Sequence, residues 1–323
     1  VSFVVTKGQF LRAGLMVFLL VVATAPLWVK AGARLLTGVE PGVTLAGVPV
    51  GGKLEREVKE LVEELAMAAM FLPKDAAIEP TTGEVIPDTS GRYVDVMATV
   101  GKVMTAPAGA KIDLVALEVA ATLSKEALQP IYQGPTDSKQ MAFTVNVDWG
   151  QEVLPGMLEL FADRNVKVTF FLTGRWAEKF PEDAAKLAAA GHEIANHGLK
   201  HDHPKQLSDW DLTRLIVENE KVLRSITGEA AKLFAPPYGE VDARITKIAA
   251  QNGYRTIMWT IDTIDWQDPS PETIVQRVVG RAQPGAIVLM HPKPNTLKAL
   301  PTIIDQLQSQ GYKLVTVTEL LQE

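Results

Sequence analysis

The feature that most constrains the fold is an alternation of two patterns between residues 141 and 323. Short runs rich in β-branched and aromatic residues recur, and amphipathic helical runs lie between them. The predicted strands are "MAFTVNV", "KVTFFLT", "HEIANH", "KLFAPP", "TIMWTI", "AIVLMH" and "KLVTV". Strands that alternate with helices predict parallel strands covered by helices. The expected fold class is therefore α/β, and a compact, incomplete βα barrel is favoured over an open doubly wound sheet.

The preceding part of the chain has a different organisation. Residues 37–128 combine a glycine-rich hairpin pattern, a helix with apolar residues at helical spacing, and further short strands. We interpret them as a small α+β module. The Pro/Gly/polar stretch at 129–140 is typical of a linker, so the predicted barrel spans 141–323.

The first 36 residues predict a membrane segment. Lys7 and Arg12 precede "AGLMVFLLVVATAPLWV", and no charge follows until Lys30. About 17 apolar residues lie at the lower limit for spanning a bilayer. Pro26 follows the small residues "ATA" and makes a poor cleavage site. The pattern predicts an uncleaved anchor and a single-pass location in the cell membrane, with the rest of the chain outside the cytoplasm.

Composition excludes several classes of function. The 323 residues include no cysteine, so disulfides, thiolate nucleophiles and cysteine-ligated zinc are excluded. The net charge of −6 argues against a protein that binds nucleic acid through a basic surface.

The unusual polar residues all follow predicted strands. They are Asp148, His197, His201, Tyr238, Asp262, Asp265 and His291. In a βα barrel the carboxyl ends of the strands meet at one edge, where active sites are built. The sequence therefore predicts one site that gathers side chains from distant parts of the chain.

Two kinds of chemistry are expected in that site. His197 and His201 are four residues apart and could both reach one cation, and with Asp148 they would form a usual ligand set for catalytic Zn²⁺. His291 ends an apolar strand and could donate a proton to a leaving group, with Asp265 orienting it. Each histidine also has a plainer interpretation as a polar loop residue or a buried, hydrogen-bonded side chain.

The motifs "VNVDWG", "HGLKH", "APPYG", "DTIDW" and "LMH", in this order, resemble the five motifs of the polysaccharide deacetylase family. This family is also known as the NodB-homology domain or carbohydrate esterase family 4. The resemblance covers roughly 140–323 and is nearest to a membrane-anchored, sporulation-associated bacterial subgroup. The module at 37–128 resembles, more weakly, small peptidoglycan-binding domains of wall proteins.

The resemblance implies a distorted (β/α)7 barrel and a divalent metal ion, most often zinc, with cobalt or manganese as other candidates. The implied reaction is removal of N-acetyl groups from the amino sugars of a cell-wall or chitin-like polysaccharide. Carried over by motif, it implies metal ligands, a general acid with its partner, a backbone oxyanion donor and an acetate pocket. His197 and His201 would be metal ligands, and His291 would be the general acid with Asp265 as its partner. Tyr238 would supply the backbone N–H to the oxyanion, and Trp266 with Leu289 would line the acetate pocket.

The first motif departs from the family's "TFDDG", in which the first aspartate is the base and the second a metal ligand. Alignment of the glycines puts Asp148 at the base position and Trp149 at the ligand position. The alternative register puts Asn146 at the base position and Asp148 on the metal. We prefer the second register because side chains two apart on a strand face the same way, and because the family's arginine partner of the base is replaced by Ala235.

The sequence is compatible with three functions. The first is a wall-glycan N-deacetylase that is active or slow, since asparagine cannot accept a proton from water. The second is a catalytically silent relative that binds glycan as a wall scaffold. The third is a zinc amidohydrolase with a different acyl amide as its substrate, since fold alone does not fix the substrate.

Overall fold

The computed structural model describes residues 32–79 and 81–322, together with residues 16, 22, 24, 28 and 29. In chain order the strands are β1 (Thr44–Leu45), β2 (Val48–Pro49), β3 (Ala77–Ile78), β4 (Val85–Ile86), β5 (Gly91–Val94), β6 (Lys111–Ile112), β7 (Ala116–Val119), β8 (Gln140–Val147), β9 (Thr169–Leu172), β10 (Glu193–Asn196), β11 (Leu233–Phe234), β12 (Arg255–Thr256), β13 (Ile261–Asp262), β14 (Ile287–Met290) and β15 (Lys313–Val315).

The α-helices whose bounds lie wholly within the described residues are α1 (Glu55–Ala69), α2 (Val96–Met104), α3 (Leu154–Asp163), α4 (Gly174–Lys179), α5 (Pro181–Ala189), α6 (Asp209–Thr227), α7 (Ala243–Gln251), α8 (Pro271–Val279), α9 (Pro294–Ser309) and α10 (Val317–Leu321). Short 3₁₀ turns occupy Pro204–Gln206, Pro237–Gly239 and Asp265–Gln267.

The predicted location as a single-pass membrane protein is contradicted. In the part of the chain that the structure describes, no helix has both the length and the apolar character needed to cross a bilayer. Most of the apolar segment on which this prediction depended lies outside the described residues.

The chain divides into two compact units. One comprises the residues up to Asp75 together with Thr89–Thr122, and the other comprises Ala76–Asp88 and Leu123–Glu323. The hairpin of β3 and β4 therefore groups with the second unit. The domain boundaries drawn from the sequence stay a prediction.

The first unit is a small α+β structure. Strand β1 pairs antiparallel with β2 and parallel with β6, and β5 pairs antiparallel with β7. Helix α1 follows from apolar residues at helical spacing, and its Val58 and Val62 are buried together with Val43 and Val100. Its first turn is capped because the Glu57 carboxylate accepts a hydrogen bond at 3.0 Å from the backbone N–H of Leu54, the residue just before the helix.

The second unit is built on one parallel sheet, which confirms the α/β class. Its strand order is β12-β11-β10-β9-β8-β14-β13, and β15 pairs with β8. Every pairing in this sheet is parallel. The sheet is curled into a half-barrel, and the central strand β8 is buried over Met141–Val147. Parallel sheets are covered on both faces, so their strands form continuous apolar runs.

The predicted strand "TIMWTI" (residues 256–261) is wrong as a single strand. Strand β12 ends at Thr256 and pairs with β11, whereas β13 begins at Ile261 and pairs with β14. These two strands stand at opposite ends of the sheet order. The residues between them cross from one edge of the curled sheet to the other, since the backbone N–H of Met258 bonds the carbonyl of Ile131 and that of Thr260 bonds Ile287.

His192 lies at the amino end of β10, away from the carboxyl ends of the strands. Its Nδ1 accepts a hydrogen bond from the backbone N–H of Val168 at 3.2 Å. The rings of Phe161 and Phe170 pack edge-on against it. Burial, with a smaller contribution from the charge of Lys167, lowers the pKa of His192 to about 4 from an ordinary value of 6.5. This histidine is therefore a neutral part of the core.

Replacement of His192 by glutamine is expected to flatten the dependence of stability on pH. Between pH 6.5 and pH 4 the unfolded chain protonates this histidine and the folded chain does not, so stability is lost as the pH falls. Buried His197 adds a loss of the same sign. From pH 7.5 to 5.0 the variant's free energy of unfolding should fall by about 2 kcal/mol less than that of the unaltered protein. Urea titrations at both pH values measure this difference, and equal losses would contradict the assignment.

Candidate active site

The carboxyl ends of the strands surround a pocket of about 460 Å³. Its walls come from residues at the ends of β8, β13 and β14 and from segments that follow β8, β10, β11, β12, β13 and β14, as expected for the carboxyl edge of a parallel sheet. The lining residues are Asn146, Asp148, Trp149, His197, His201, Tyr238, Gly239, Trp259, Asp262, Trp266, Leu289 and His291. Of the predicted site residues, only Asp265 lies behind this surface.

His197 follows β10 directly and is 2% exposed. Its Nδ1 lies 2.7 Å from the carbonyl oxygen of Ala235. A carbonyl only accepts hydrogen bonds, so Nδ1 carries the proton and Nε2 keeps its lone pair. Burial, followed by the charge of His201, lowers the pKa of His197 to about 3. The imidazole is therefore neutral and oriented, the state in which histidine binds metals.

His201 lies beside His197 in the loop after β10. The two ring centroids are 5.1 Å apart at an angle of 64°. Burial lowers the pKa of His201 as well, although the Asp148 carboxylate partly opposes this effect. The structure therefore brings two neutral imidazoles together.

The Asp148 carboxylate is held by two partners. Thr173 donates its hydroxyl to Oδ1 at 2.8 Å, and the Arg175 Nε–H donates to the same oxygen at 2.6 Å. A second guanidinium N–H of Arg175 bonds Oδ2. Burial by itself raises the pKa of Asp148, but the hydrogen bonds from Arg175 and Thr173 outweigh it and hold the pKa below its usual value. Asp148 is therefore ionised.

His291 and Asp265 are joined by two hydrogen bonds. The Asp265 side chain is fully buried, and its Oδ1 lies 2.7 Å from the His291 Nδ1. Oδ2 accepts hydrogen bonds from the backbone N–H of His291 and from the Thr296 hydroxyl, each at 2.7 Å. The carboxylate thus fixes the orientation of the ring and leaves its Nε2 for the pocket.

Asn146 is the buried polar side chain that lines the same pocket from β8. It is 6% exposed, and its Oδ1 has no hydrogen-bond partner among the described residues. Buried polar atoms without a partner are uncommon and need an explanation. Ala235, predicted from the motif to stand at the position of the family's arginine, is 5% exposed.

Three exposed aromatic side chains rim the pocket. Trp149, Tyr238 and Trp266 are 40%, 56% and 53% exposed. The Trp149 ring stacks on His291 with centroids 5.8 Å apart, and the Lys293 ammonium lies 5.1 Å from the Trp149 ring. Leu289, in contrast, is buried in β14. Large exposed aromatic faces beside polar groups are suited to a ligand that is itself part apolar and part polar.

Tyr238 stands in a turn that the backbone constrains. Its φ of 58° lies in the left-handed region, which is uncommon for residues other than glycine. Its ring stacks on His203 at 3.8 Å and packs edge-on against His201 at 4.3 Å. Backbone strain of this kind clusters at functional sites.

A divalent ion fits part of this arrangement. His197 and His201 supply neutral nitrogen donors, and Asp148 supplies an ionised oxygen donor, which is the usual chemistry of a zinc site. However, within the described residues no three histidine, aspartate or glutamate side chains are placed together for one ion. The Asp148 carboxylate is instead engaged by Arg175.

Sequence reasoning missed Arg175, Thr173, Thr296 and His203. The first two follow β9, a strand next to β8 for which no functional residue was predicted. Their position at a carboxyl strand end was an available signal. His203 stacks on Tyr238, and its Nδ1 lies 2.9 Å from a Glu240 carboxylate oxygen.

Comparison with known proteins agrees with this fold. The family described as polysaccharide deacetylase matches residues 133–257. The YlxY protein of Bacillus subtilis is 36% identical over 81% of this chain and 84% of its own length. A peptidoglycan-N-acetylglucosamine deacetylase of Bacillus cereus is 33% identical over 59% of this chain and 71% of its own length. The chain therefore belongs to the polysaccharide deacetylase family.

One solved relative bears on activity. The wild-type CE4-family pseudoenzyme of Bacillus anthracis is 35% identical, with a TM-score of 0.60, over 81% of this chain and 94% of its own. A mutant of that protein with restored enzymatic activity is similar to this chain to the same degree, at 34% identity and a TM-score of 0.60, over 81% of this chain and 97% of the mutant.

Proposed function

We propose that this protein is a metal-dependent hydrolase that removes N-acetyl groups from the amino sugars of cell-wall glycan, and that it works slowly. Membership of the polysaccharide deacetylase family supports the reaction class. The relative named as a peptidoglycan-N-acetylglucosamine deacetylase supports peptidoglycan as the polymer. The exposed aromatic rim supports a sugar, because the apolar face of a pyranose ring packs on aromatic faces.

The observation that carries the proposal is that a proton donor and two imidazoles able to bind a metal ion line the same pocket. The His291–Asp265 pair can supply a proton, and the imidazoles of His197 and His201 open onto the same space. A purely structural histidine would not need the fixed tautomer of His197, which leaves the Nε2 lone pair available beside the pocket. Hydrolysis of an amide needs both a proton donor for the leaving nitrogen and activation of water.

In this proposal each side chain has one task. His291 donates the proton from its Nε2 to the amine nitrogen as the C–N bond breaks. The backbone N–H of Tyr238 binds the negative charge that develops on the carbonyl oxygen. Trp266 and Leu289 enclose the acetyl methyl group.

Asp148, His197 and His201 would hold the divalent ion, for which this donor set favours Zn²⁺, with Co²⁺ or Mn²⁺ as alternatives. When bound, such an ion supplies Lewis-acid activation of water and of the amide carbonyl. The ring contact between Trp149 and His291 supports the register in which Trp149 is not a ligand.

Asn146 occupies the base position and accounts for a low rate. An amide oxygen accepts a hydrogen bond but does not take a proton at neutral pH. General-base assistance contributes about 10²–10⁴-fold to such reactions. The Asn146 Oδ1, which has no hydrogen-bond partner among the described residues, can still orient a polar group in the pocket.

A specific observation favours a second function, that of a catalytically silent glycan-binding wall scaffold. Asparagine at 146 and alanine at 235 together remove the base and its arginine partner. The similar protein of Bacillus anthracis is described as a pseudoenzyme. In this alternative the aromatic rim binds glycan and no acetate is released.

Metal binding tests the proposed centre. The purified protein should bind about one divalent ion, and His197→Ala should weaken the affinity at least about tenfold, because a lost ligand costs no less than a lost supporting contact. His192→Ala, at the other end of the sheet, is the matched control and should bind as the unaltered protein does. Zinc titrations against a competing chelator give the dissociation constants. An unchanged constant in His197→Ala would refute the assignment.

A further inference from the structure

The Asp148 carboxylate is already paired with a cationic side chain, that of Arg175. The Arg175 guanidinium contacts both carboxylate oxygens, and Thr173 adds a hydrogen bond to one of them. The Asp148 side chain is 8% exposed. Two-point pairs between arginine and a carboxylate are among the strongest charge-assisted contacts in proteins. Such a buried carboxylate holds a partner tightly because an uncompensated charge there is costly.

The position of Arg175 follows from the backbone. After β9 the N–H of Gly174 bonds the carbonyl of Gly198 at 3.1 Å, and the N–H of Arg175 bonds Leu199 at 2.8 Å. Residues 198 and 199 belong to the loop between His197 and His201. This loop and the arginine are therefore fixed to each other, and the guanidinium charge is directed at the aspartate that faces the two imidazoles.

We propose that Arg175 is an internal cation that competes with the divalent ion for Asp148 and so sets how tightly the site takes up metal. The inference rests on the proposed function, because it assumes that Asp148, His197 and His201 are the ligands. Two positive charges a few ångströms apart repel each other in a partly buried site. Uptake of the ion therefore requires the guanidinium to give up part of its contact with Asp148.

A second carboxylate is available to the displaced guanidinium. Asp202 directly follows His201 in the same loop. The backbone N–H of Arg175 bonds Leu199 of this loop at 2.8 Å. A guanidinium displaced from Asp148 therefore has Asp202 as an alternative partner in the loop that carries the ligands. Its side chain is 52% exposed, which leaves room for the movement.

Replacement of Arg175 by glutamine tests this competition in the full chain. The variant should bind Zn²⁺ roughly tenfold more tightly than the unaltered protein, because the carboxylate no longer has a resident positive charge. Arg214→Gln, an exposed arginine on α6, is the matched control and should leave the dissociation constant unchanged. Calorimetric titration with zinc alone measures all three constants without reference to activity.

The outcomes separate the competition from the proposed metal centre. Unchanged or weaker zinc binding in Arg175→Gln, while His197→Ala weakens binding, would overturn the competition alone. Absence of binding in every protein would overturn both. Arg175→Lys keeps the charge but loses the two-point contact, so it should bind zinc more tightly than the unaltered protein and less tightly than Arg175→Gln. If the glutamine variant does not fold, equal constants for the lysine variant and the unaltered protein would overturn the competition.

Discussion

Changing Asn146 to aspartate and Ala235 to arginine in one chain should raise acetate release from N-acetylglucosamine oligomers by about 10²–10⁴-fold. Asn146 lines the pocket beside Asp148 and is buried, so an aspartate there would face the same space. A carboxylate at this position can take a proton from water, which the amide does not. The arginine is needed because an unpaired buried carboxylate has a raised pKa and destabilises the fold.

The two single variants are the controls for this gain. Asn146→Asp alone should gain less than the double variant, because its carboxylate lacks a cationic partner. Ala235→Arg alone should gain nothing and should lower the melting temperature, since it buries an uncompensated charge. Acetate is measured enzymatically with zinc present, and circular dichroism reports folding. A folded double variant with no gain would count against Asn146 as the base position.

Loss of His291 should nearly abolish the activity of that double variant. His291→Gln is expected to lower acetate release by about 10²–10⁴-fold, because the leaving amine would depart without a proton. The Asp265 carboxylate holds the His291 ring through Nδ1 at 2.7 Å and accepts a hydrogen bond from the His291 backbone N–H at 2.7 Å. Asp265→Asn should therefore lower the rate as well, by loosening the orientation of the ring. Use of the double variant as the background keeps a large loss measurable.

The matched control for His291 is His192→Gln in the same background. His192 is a buried histidine at the amino end of β10, where it bonds Val168 and packs against Phe161 and Phe170. Its replacement should leave the rate within about twofold, because it changes stability and not the site. Equal losses from both replacements would show that His291 acts only through folding. Acetate release at a rate independent of His291 would remove its assignment as the general acid.

The sequence was sufficient to predict that the site residues lie close together. Asp148, His197 and His291 each follow an apolar strand, and parallel strands bring their carboxyl ends to one edge. This rule needs only the order of strands and helices. It does not need the positions of individual side chains, and for that reason it worked across residues far apart in the chain.

The partner of Asp148 was not predictable in the same way. Arg175 belongs to no motif, and its contact depends on the reach of one long side chain from the neighbouring strand. The sequence suggested a cation at Asp148 but not that the protein supplies one. Ala235 stands where the motif predicts the family's arginine, but a different arginine, Arg175, contacts the Asp148 carboxylate.

Local patterns also misled in one place. Residues 256–261 form a β-rich run, and period and composition predict one strand. Because the sheet is curled, this short segment reaches both of its edges, and its two ends pair with different strands. Curvature is a property of the whole sheet, so it was not predictable from the sequence of these six residues.

Diffraction from crystals grown with zinc, recorded at the zinc absorption edge, tests the central claim most directly. The account predicts one anomalous peak within coordination distance of the His197 and His201 nitrogens and an Asp148 oxygen, with the Arg175 guanidinium moved from that carboxylate. Zinc-loaded crystals without a peak between the two imidazoles, and with Asp148 still closed on Arg175, would contradict it.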